Sequence, residues 1–172
     1  MKLIVAYDKN GGIGNDNKLP WHDKEELKLF SQITKGKTLI MGRNTIKTLP
    51  KLKDRKIICM TKQANLDTSG FMNEVELAYE FTKNEPDMFI AGGQSIYEQA
   101  LNIPNYITEI YVSVMKHEYE CDTFFPKKYL RNYVIVEETD YENFTHYHMV
   151  LENKGEIEYL NMLERIINEG NE

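Results

Sequence analysis

Polar and apolar positions along the chain fall into two rhythms: short apolar runs of strand length, and stretches with helical spacing. Residues 2–7 (KLIVAY) are an almost unbroken apolar run, the pattern of a strand covered on both faces. Runs at 37–41 (KTLIM), 56–60 (KIICM), 87–91 (DMFIA) and 106–114 (YITEIYVSV) predict further strands, with a short extra one at 71–72. Helical spacing predicts helices over 24–34, over 74–84 and over QSIYEQALN at 94–102. A shorter helix follows Gly42-Arg43-Asn44-Thr45 and stops before Pro50. The last two strands, 132–139 and 144–152, flank a turn at Glu142-Asn143 and read as an antiparallel hairpin.

Strands alternating with helices imply an α/β fold. The expectation is one domain with a central, mostly parallel sheet of about eight strands, an antiparallel C-terminal hairpin at its edge and about four flanking helices. That domain spans 1–154. Beyond Lys154-Gly155, Ile157, Leu160, Leu163, Ile166 and Ile167 keep helical spacing, so 155–172 is expected to be a helical extension. It either packs on its own domain or docks elsewhere, a second copy of the chain included. Residues 9–22 form a long glycine-containing loop, a length at which loops tend to be lids or binding loops.

Size and charge narrow the function. The chain has 172 residues, 41% hydrophobic and 28% charged, which suits one soluble globular domain with a sizeable core. The opening MKLIVAYDKN is too short in apolar residues for a signal peptide, and no run is long enough to span a bilayer. A cytoplasmic location follows, with Cys59 and Cys121 as reduced thiols and no metal site from cysteine spacing. The formal net charge of -6 argues against nucleic acid or an anionic membrane as partner. Anionic ligands would therefore need cations gathered locally.

Candidate chemistry starts at Glu26. On the 24–34 helix it falls near the middle of the stripe made by residues 27, 29, 30 and 33, where a carboxylate is costly unless paired or employed. Asp23-Lys24-Glu25-Glu26 also fits a capping box, so capping and a site role both stand. Ligands of parallel sheets bind beyond the strands' carboxyl ends. There, Ala91-Gly92-Gly93 runs straight into a helix and Arg43-Asn44-Thr45 begins another, both suited to phosphate. Thr61-Lys62 puts an ammonium where an NAD enzyme tends to have an acid, which favours a dinucleotide with a 2′-phosphate. His146 and His148 share one strand face with no third ligand and read as surface residues.

Several segments together resemble dihydrofolate reductase of the bacterial, chromosomal type. LIVAYDKNGGIGNDNKLPWH is similar to that family's first strand and mobile loop, and KLFSQITKGKTLIMGRNT to its helix and MGR-x-T segment. FIAGGQSIYEQAL resembles its GG-x-x-[IV]-Y diphosphate-binding segment, and EIYVSV with CDTFFP its late strand and D-T-x-F-P loop. The similarity runs from about residue 1 to 153 in the family's order.

The resemblance implies reduction of 7,8-dihydrofolate to tetrahydrofolate, with hydride from NADPH to pterin C6 and protonation at N5. It implies that Glu26 is the buried acid holding the pterin's 2-amino group and N3. Trp21 would order a water beside it, Leu19 would close over nicotinamide and pterin as part of the lid, and Ser113 would stand where a threonine usually bonds the carboxylate. Ile4, Val5 and Ala6 would line the pterin pocket, and Leu27, Phe30, Leu49 and Leu52 the aminobenzoyl ring. Arg55 would pair with the α-carboxylate of the glutamate tail. For the cofactor, Gly92 and Gly93 (joined by a cis peptide) with Gln94, Ser95 and Ile96 would face the diphosphate. Tyr97 would lie near the nicotinamide, Thr45 would touch phosphate, and Arg43 and Lys62 would bracket the 2′-phosphate. Ala6, Ile13, Gly14, Leu19, Gly42, Asn44 and Thr61 complete the cofactor set. A monomer is implied, with 155–172 as the segment able to self-associate.

Three features depart from the family pattern. LPKLKDR is shorter than the usual stretch before the arginine, Cys121 replaces a usual glycine, and the tail has no counterpart. Two rivals share the fold: a pyrimidine reductase of riboflavin synthesis, and a noncatalytic binding protein. Trp21, Glu26 and Arg55 suit a pterin with a glutamate tail and argue against the first, and Glu26, Trp21 and both phosphate-binding segments argue against the second.

Overall fold

Eight strands pair in the order β5-β4-β3-β6-β1-β7-β10-β9 in the computed structural model, which describes residues 1–82, 85, 87–153 and 162–168. The strands are β1 (Lys2–Tyr7), β3 (Thr38–Gly42), β4 (Lys56–Met60), β5 (Glu76–Ala78), β6 (Met88–Gly92), β7 (Glu109–Met115), β9 (Tyr133–Asp140) and β10 (Phe144–Leu151). Every pairing from β5 to β7 is parallel, and β10 runs antiparallel to both β7 and β9. A separate ribbon joins β2 (Gly12–Gly14) to β8 (Thr123–Phe124). The helices are α1 (Lys24–Thr34), α2 (Arg43–Lys47) and α3 (Gln94–Leu101), with a 3-10 helix at Lys127–Asn132.

The continuous apolar run of β1 has the expected cause. Leu3, Val5 and Tyr7 pack on one face of the sheet with Ile96, Tyr97, Ala100 and Leu101 of α3. Ile4 packs on the other with Leu39, Met41 and Phe89, under Phe30 and Ile33 of α1. A central strand with a core on both sides has no polar face to show.

Three expectations fail. Residues 74–84 are not a helix: Glu76–Ala78 form edge strand β5, which pairs parallel with β4, and residues 83 and 84 lie outside the described residues. Val75, Ala78 and Phe81 do pack against the core, but Leu77 and Tyr79 are exposed, and pairing with β4 satisfies the backbone that a helix would have satisfied internally. Residues 71–72 are not a strand. His146 and His148 are half-buried rather than surface residues, with the His148 ring stacked on Tyr111 at 4.4 Å between centroids. The β2–β8 ribbon went unseen because strands of two or three residues leave no periodicity. Of the tail, residues 162–168 are helical, with Met162, Ile166 and Ile167 exposed rather than packed. Ile157 and Leu160 lie outside the described residues.

Candidate active site

A cleft of about 1180 Å³ opens at the carboxyl ends of β1, β3, β4 and β6. That volume exceeds the ~300–1,000 Å³ of a typical small-ligand pocket and leaves room for two ligands side by side. Its walls bring together residues far apart in sequence: Ile4, Val5 and Ala6 of β1; Glu26, Leu27 and Phe30 of α1; and Leu49, Leu52 and Arg55 from the segment before β4. Facing them are Ile13, Gly14 and Leu19 of the loop after β1, and Gly42, Arg43, Asn44 and Thr45 at the β3–α2 junction. Thr61 and Lys62 after β4 and the run from Gly92 to Tyr97 complete the set. Of the residues the sequence singled out, only Trp21 and Ser113 do not line the cleft.

At Glu26 the two readings of the sequence separate. Asp23 is the N-cap of α1, and its Oδ1 accepts the Glu26 backbone N–H at 2.9 Å. No reciprocal bond from the Glu26 side chain is made, so its carboxyl is left to the cleft. It is 7% exposed, and burial, helped by the neighbouring Asp23 charge, pushes its pKa from 4.5 up to about 7. Leu27, the next residue, is exposed because it forms the cleft wall.

Trp21 is buried behind the cleft with Met115, Phe144, Ala6 and Leu29, and packs against Tyr119 at 5.3 Å between ring centroids. Its indole N–H meets no acceptor among the described residues. On the opposite wall, buried Tyr97 donates its hydroxyl to the Ile4 carbonyl at 2.7 Å, tying α3 to β1 across the sheet. The Gly92–Gly93 peptide is cis, and a side chain at 93 would meet the Thr45 hydroxyl at 3.0 Å.

The loop after β1 is held by residues that spacing alone did not reveal. Asp8, fully buried, accepts the N–H groups of Asn10, Gly12 and Tyr119. Asp122 accepts the Asp16 N–H, and Gln94 accepts that of Phe124. Asp8 was legible only as part of a turn cluster. Asn73 was missed too: its amide accepts from Leu52 N–H and donates to the Pro50 carbonyl.

Residues 1–154 match the family model described as dihydrofolate reductase. The chain belongs to the dihydrofolate reductase family. Dihydrofolate reductase of Staphylococcus haemolyticus is 36% identical over 129 residues, 73% of this chain and 76% of that protein. That of Mycoplasma genitalium is 35% identical over 150 residues, 82% and 91% of the two. A solved structure of the Enterococcus faecalis dihydrofolate reductase, complexed with NADP(H) and RAB-propyl, superposes with a TM-score of 0.72 at 27% identity. It covers 89% of this chain and 96% of its own.

One contact that the family resemblance implies differs. Ser113 Oγ lies 3.0 Å from His146 Nδ1 on the adjacent strand, and makes no hydrogen bond to Glu26. A serine hydroxyl rotates more freely than a threonine's, and the facing histidine captures it. Cys121, in place of the usual glycine, sets its Sγ against Gly12 and near Asp8 at 3.8 Å.

Proposed function

We infer that this chain is an NADPH-dependent oxidoreductase that reduces 7,8-dihydrofolate to 5,6,7,8-tetrahydrofolate. The observation that carries the reading is Glu26, one buried carboxyl with a pKa raised to about 7, on the wall of a cleft large enough for two ligands. Near neutral pH such a group is divided between its protonated and ionised forms, which suits binding the 2-amino group and N3 of a pterin. A carboxyl held at N3 cannot also reach N5, so the N5 proton arrives through water. The unpartnered indole N–H of Trp21 suits a donor that fixes that water.

The cofactor half fits NADPH. Among the described residues six cations line the cleft (Lys18, Arg43, Lys51, Lys53, Arg55 and Lys62) against two carboxylates, Glu26 and Glu98, in a chain whose net charge is -6. Arg43 and Lys62 would hold the 2′-phosphate. The backbone at Gly92 and Gly93, the start of α3 and the Thr45 hydroxyl would hold the diphosphate. NADPH, when bound, supplies the hydride for C6. The Tyr97–Ile4 hydrogen bond locks the cofactor-side helix to the substrate-side strand, and so sets the two ligands' relative position. Leu19, half-exposed on the lid, would close over both and exclude water. Ile4, Val5 and Ala6 would line the pterin pocket, and Leu27, Phe30, Leu49 and Leu52 would hold the aminobenzoyl ring. Among the described residues no helix is long and apolar enough to cross a membrane. We take the enzyme to work in the cytoplasm as a monomer.

Loss of NADPH absorbance on adding dihydrofolate tests this reading. Turnover is expected. Protein that binds NADPH but leaves dihydrofolate untouched would move the pyrimidine reductase to first place, and protein that binds neither would favour a noncatalytic role.

A further inference from the structure

Ser113 lies between the cleft wall and a histidine. Parallel pairing sets it beside Ala6 of β1, and antiparallel pairing sets it across from His146 of β10. Two residues earlier in the same register, Ile4 and Tyr111 pack into the core beneath α1. Alternation along a strand turns Ala6 and Ser113 to the α1 side of the sheet as well. Ala6 lines the cleft with Glu26 of α1, and Ser113, 3% exposed, stands one strand back from it.

A buried hydroxyl needs an acceptor for its proton. Among the described residues Ser113 Oγ has one hydrogen-bond partner, His146 Nδ1 at 3.0 Å. The half-buried His146 ring stacks over Tyr111 at 6.3 Å between centroids. Burial, and then the neighbouring His148, hold its pKa below the usual 6.5, against the opposite pull of Glu137 on β9. A neutral imidazole has one ring nitrogen free to accept. With the Ser113 proton to place, that nitrogen is Nδ1, and the ring's own proton sits on Nε2. The other charged groups on this face are committed elsewhere. His148 Nε2 lies 3.1 Å from Glu109 Oε1, and Lys2 pairs with the same carboxylate at 3.6 Å.

Around Glu26 the titratable neighbours are Asp23 of its own helix and Tyr97 of α3. Neither gives the carboxyl a hydrogen bond. Asp23 accepts from the Glu26 backbone and from Asn143, and Tyr97 donates to the Ile4 carbonyl.

We propose that His146 is a positioning residue for the reaction. By taking the Ser113 hydroxyl proton, it withholds from Glu26 the hydrogen bond that would favour the ionised carboxylate, and leaves burial in control of that group. The consequence for turnover rests on the dihydrofolate reading above, whereas the consequence for Glu26 does not.

Titration of the Glu26 carboxyl in the full chain, followed by carbon-13 NMR with Glu26→Gln to assign the signal, reads the effect directly. In His146→Phe the freed hydroxyl turns to Glu26, and the midpoint should fall by about one pH unit. The sign is diagnostic, because loss of a nearby positive charge would raise it. His146→Asn puts an oxygen acceptor where Nδ1 was and should keep the wild-type midpoint. In Ser113→Ala/His146→Phe no hydroxyl remains, and the midpoint should match that of Ser113→Ala. His148→Phe removes a ring held by Glu109 instead, and should leave the midpoint unchanged. The pH–rate profile of dihydrofolate reduction should move to acid in His146→Phe by the same amount as the titration.

A midpoint that stays or rises in His146→Phe overturns the proposal. So does a fall of equal size between Ser113→Ala and Ser113→Ala/His146→Phe, which would mean that water reaches Glu26 through the gap. Nitrogen-15 shifts of His146 answer without any substitution: a proton on Nδ1 rather than Nε2 in the wild type overturns the assignment. A midpoint that falls as expected in protein unable to reduce dihydrofolate supports the His146 bond and overturns the dihydrofolate reading.

Discussion

Glu26 shows how one side chain can tie stability to activity. Its carboxyl has a folded pKa of about 7 against an unfolded value near 4.5, raised by burial and then by Asp23. Below pH 4.5 both states are protonated and the group is neutral in the balance. As pH rises from 4.5 to 7 the unfolded chain ionises first, so stability falls. At ~1.4 kcal/mol per pH unit of displacement, that loss reaches about 3 kcal/mol. Glu26→Gln cannot ionise, so denaturant titrations of the variant across this window should lack the decline. The same substitution should cut turnover at neutral pH by about 100-fold or more while leaving NADPH binding intact. Activity should partly return at low pH, where dihydrofolate arrives already protonated. A variant that keeps full activity at pH 7 would remove Glu26 from the mechanism.

At the scale of elements, α1 and the β2–β8 ribbon each put a local rule to functional use. The Asp23 cap serves α1 twice, since it accepts the Glu26 N–H and its charge helps raise the Glu26 pKa. Asp23→Ala should cost ~1 kcal/mol of stability. It should also move the ionisation governing the pH–rate profile toward acid, a shift that loss of a cap alone does not produce. In the ribbon, a methyl group on Gly12 would fall 2.4 Å from Cys121 Sγ. Gly12→Ala should therefore push the lid from β8 and lower turnover, and adding Cys121→Gly should restore it. If Cys121→Gly gives no rescue, the coupling between lid and ribbon lies elsewhere. These pairings escaped sequence reading because a strand of two or three residues has no detectable period and β2 and β8 are about a hundred residues apart. α1, by contrast, was legible to the residue, its cap and its apolar stripe both lying within eleven consecutive positions.

For the whole molecule, charge is distributed against its own average. The chain is net -6, yet among the described residues its cleft carries six cations against two carboxylates. If the local cluster governs ligand capture, raising salt should weaken NADPH binding in a fluorescence titration, because added ions screen the attraction. If the global field governed it, salt would tighten binding by screening repulsion. Lys62→Ala should narrow the preference for NADPH over NADH. The sequence alone determined the elements whose information is local: the alternation of strand and helix, the two-faced burial of β1, the capped start of α1, and the motifs that mark the family. The tertiary structure decided what depends on distant partners. The 74–84 segment has a helical period, but β4 offered an open edge beside it, and Glu76–Ala78 became strand there. The Ser113 hydroxyl bonds His146 rather than the carboxyl the resemblance implied, because strand pairing sets that histidine beside it. Hydrophobic period records which side of a segment faces inward. It does not record what stands opposite, and that is settled only when the chain closes on itself.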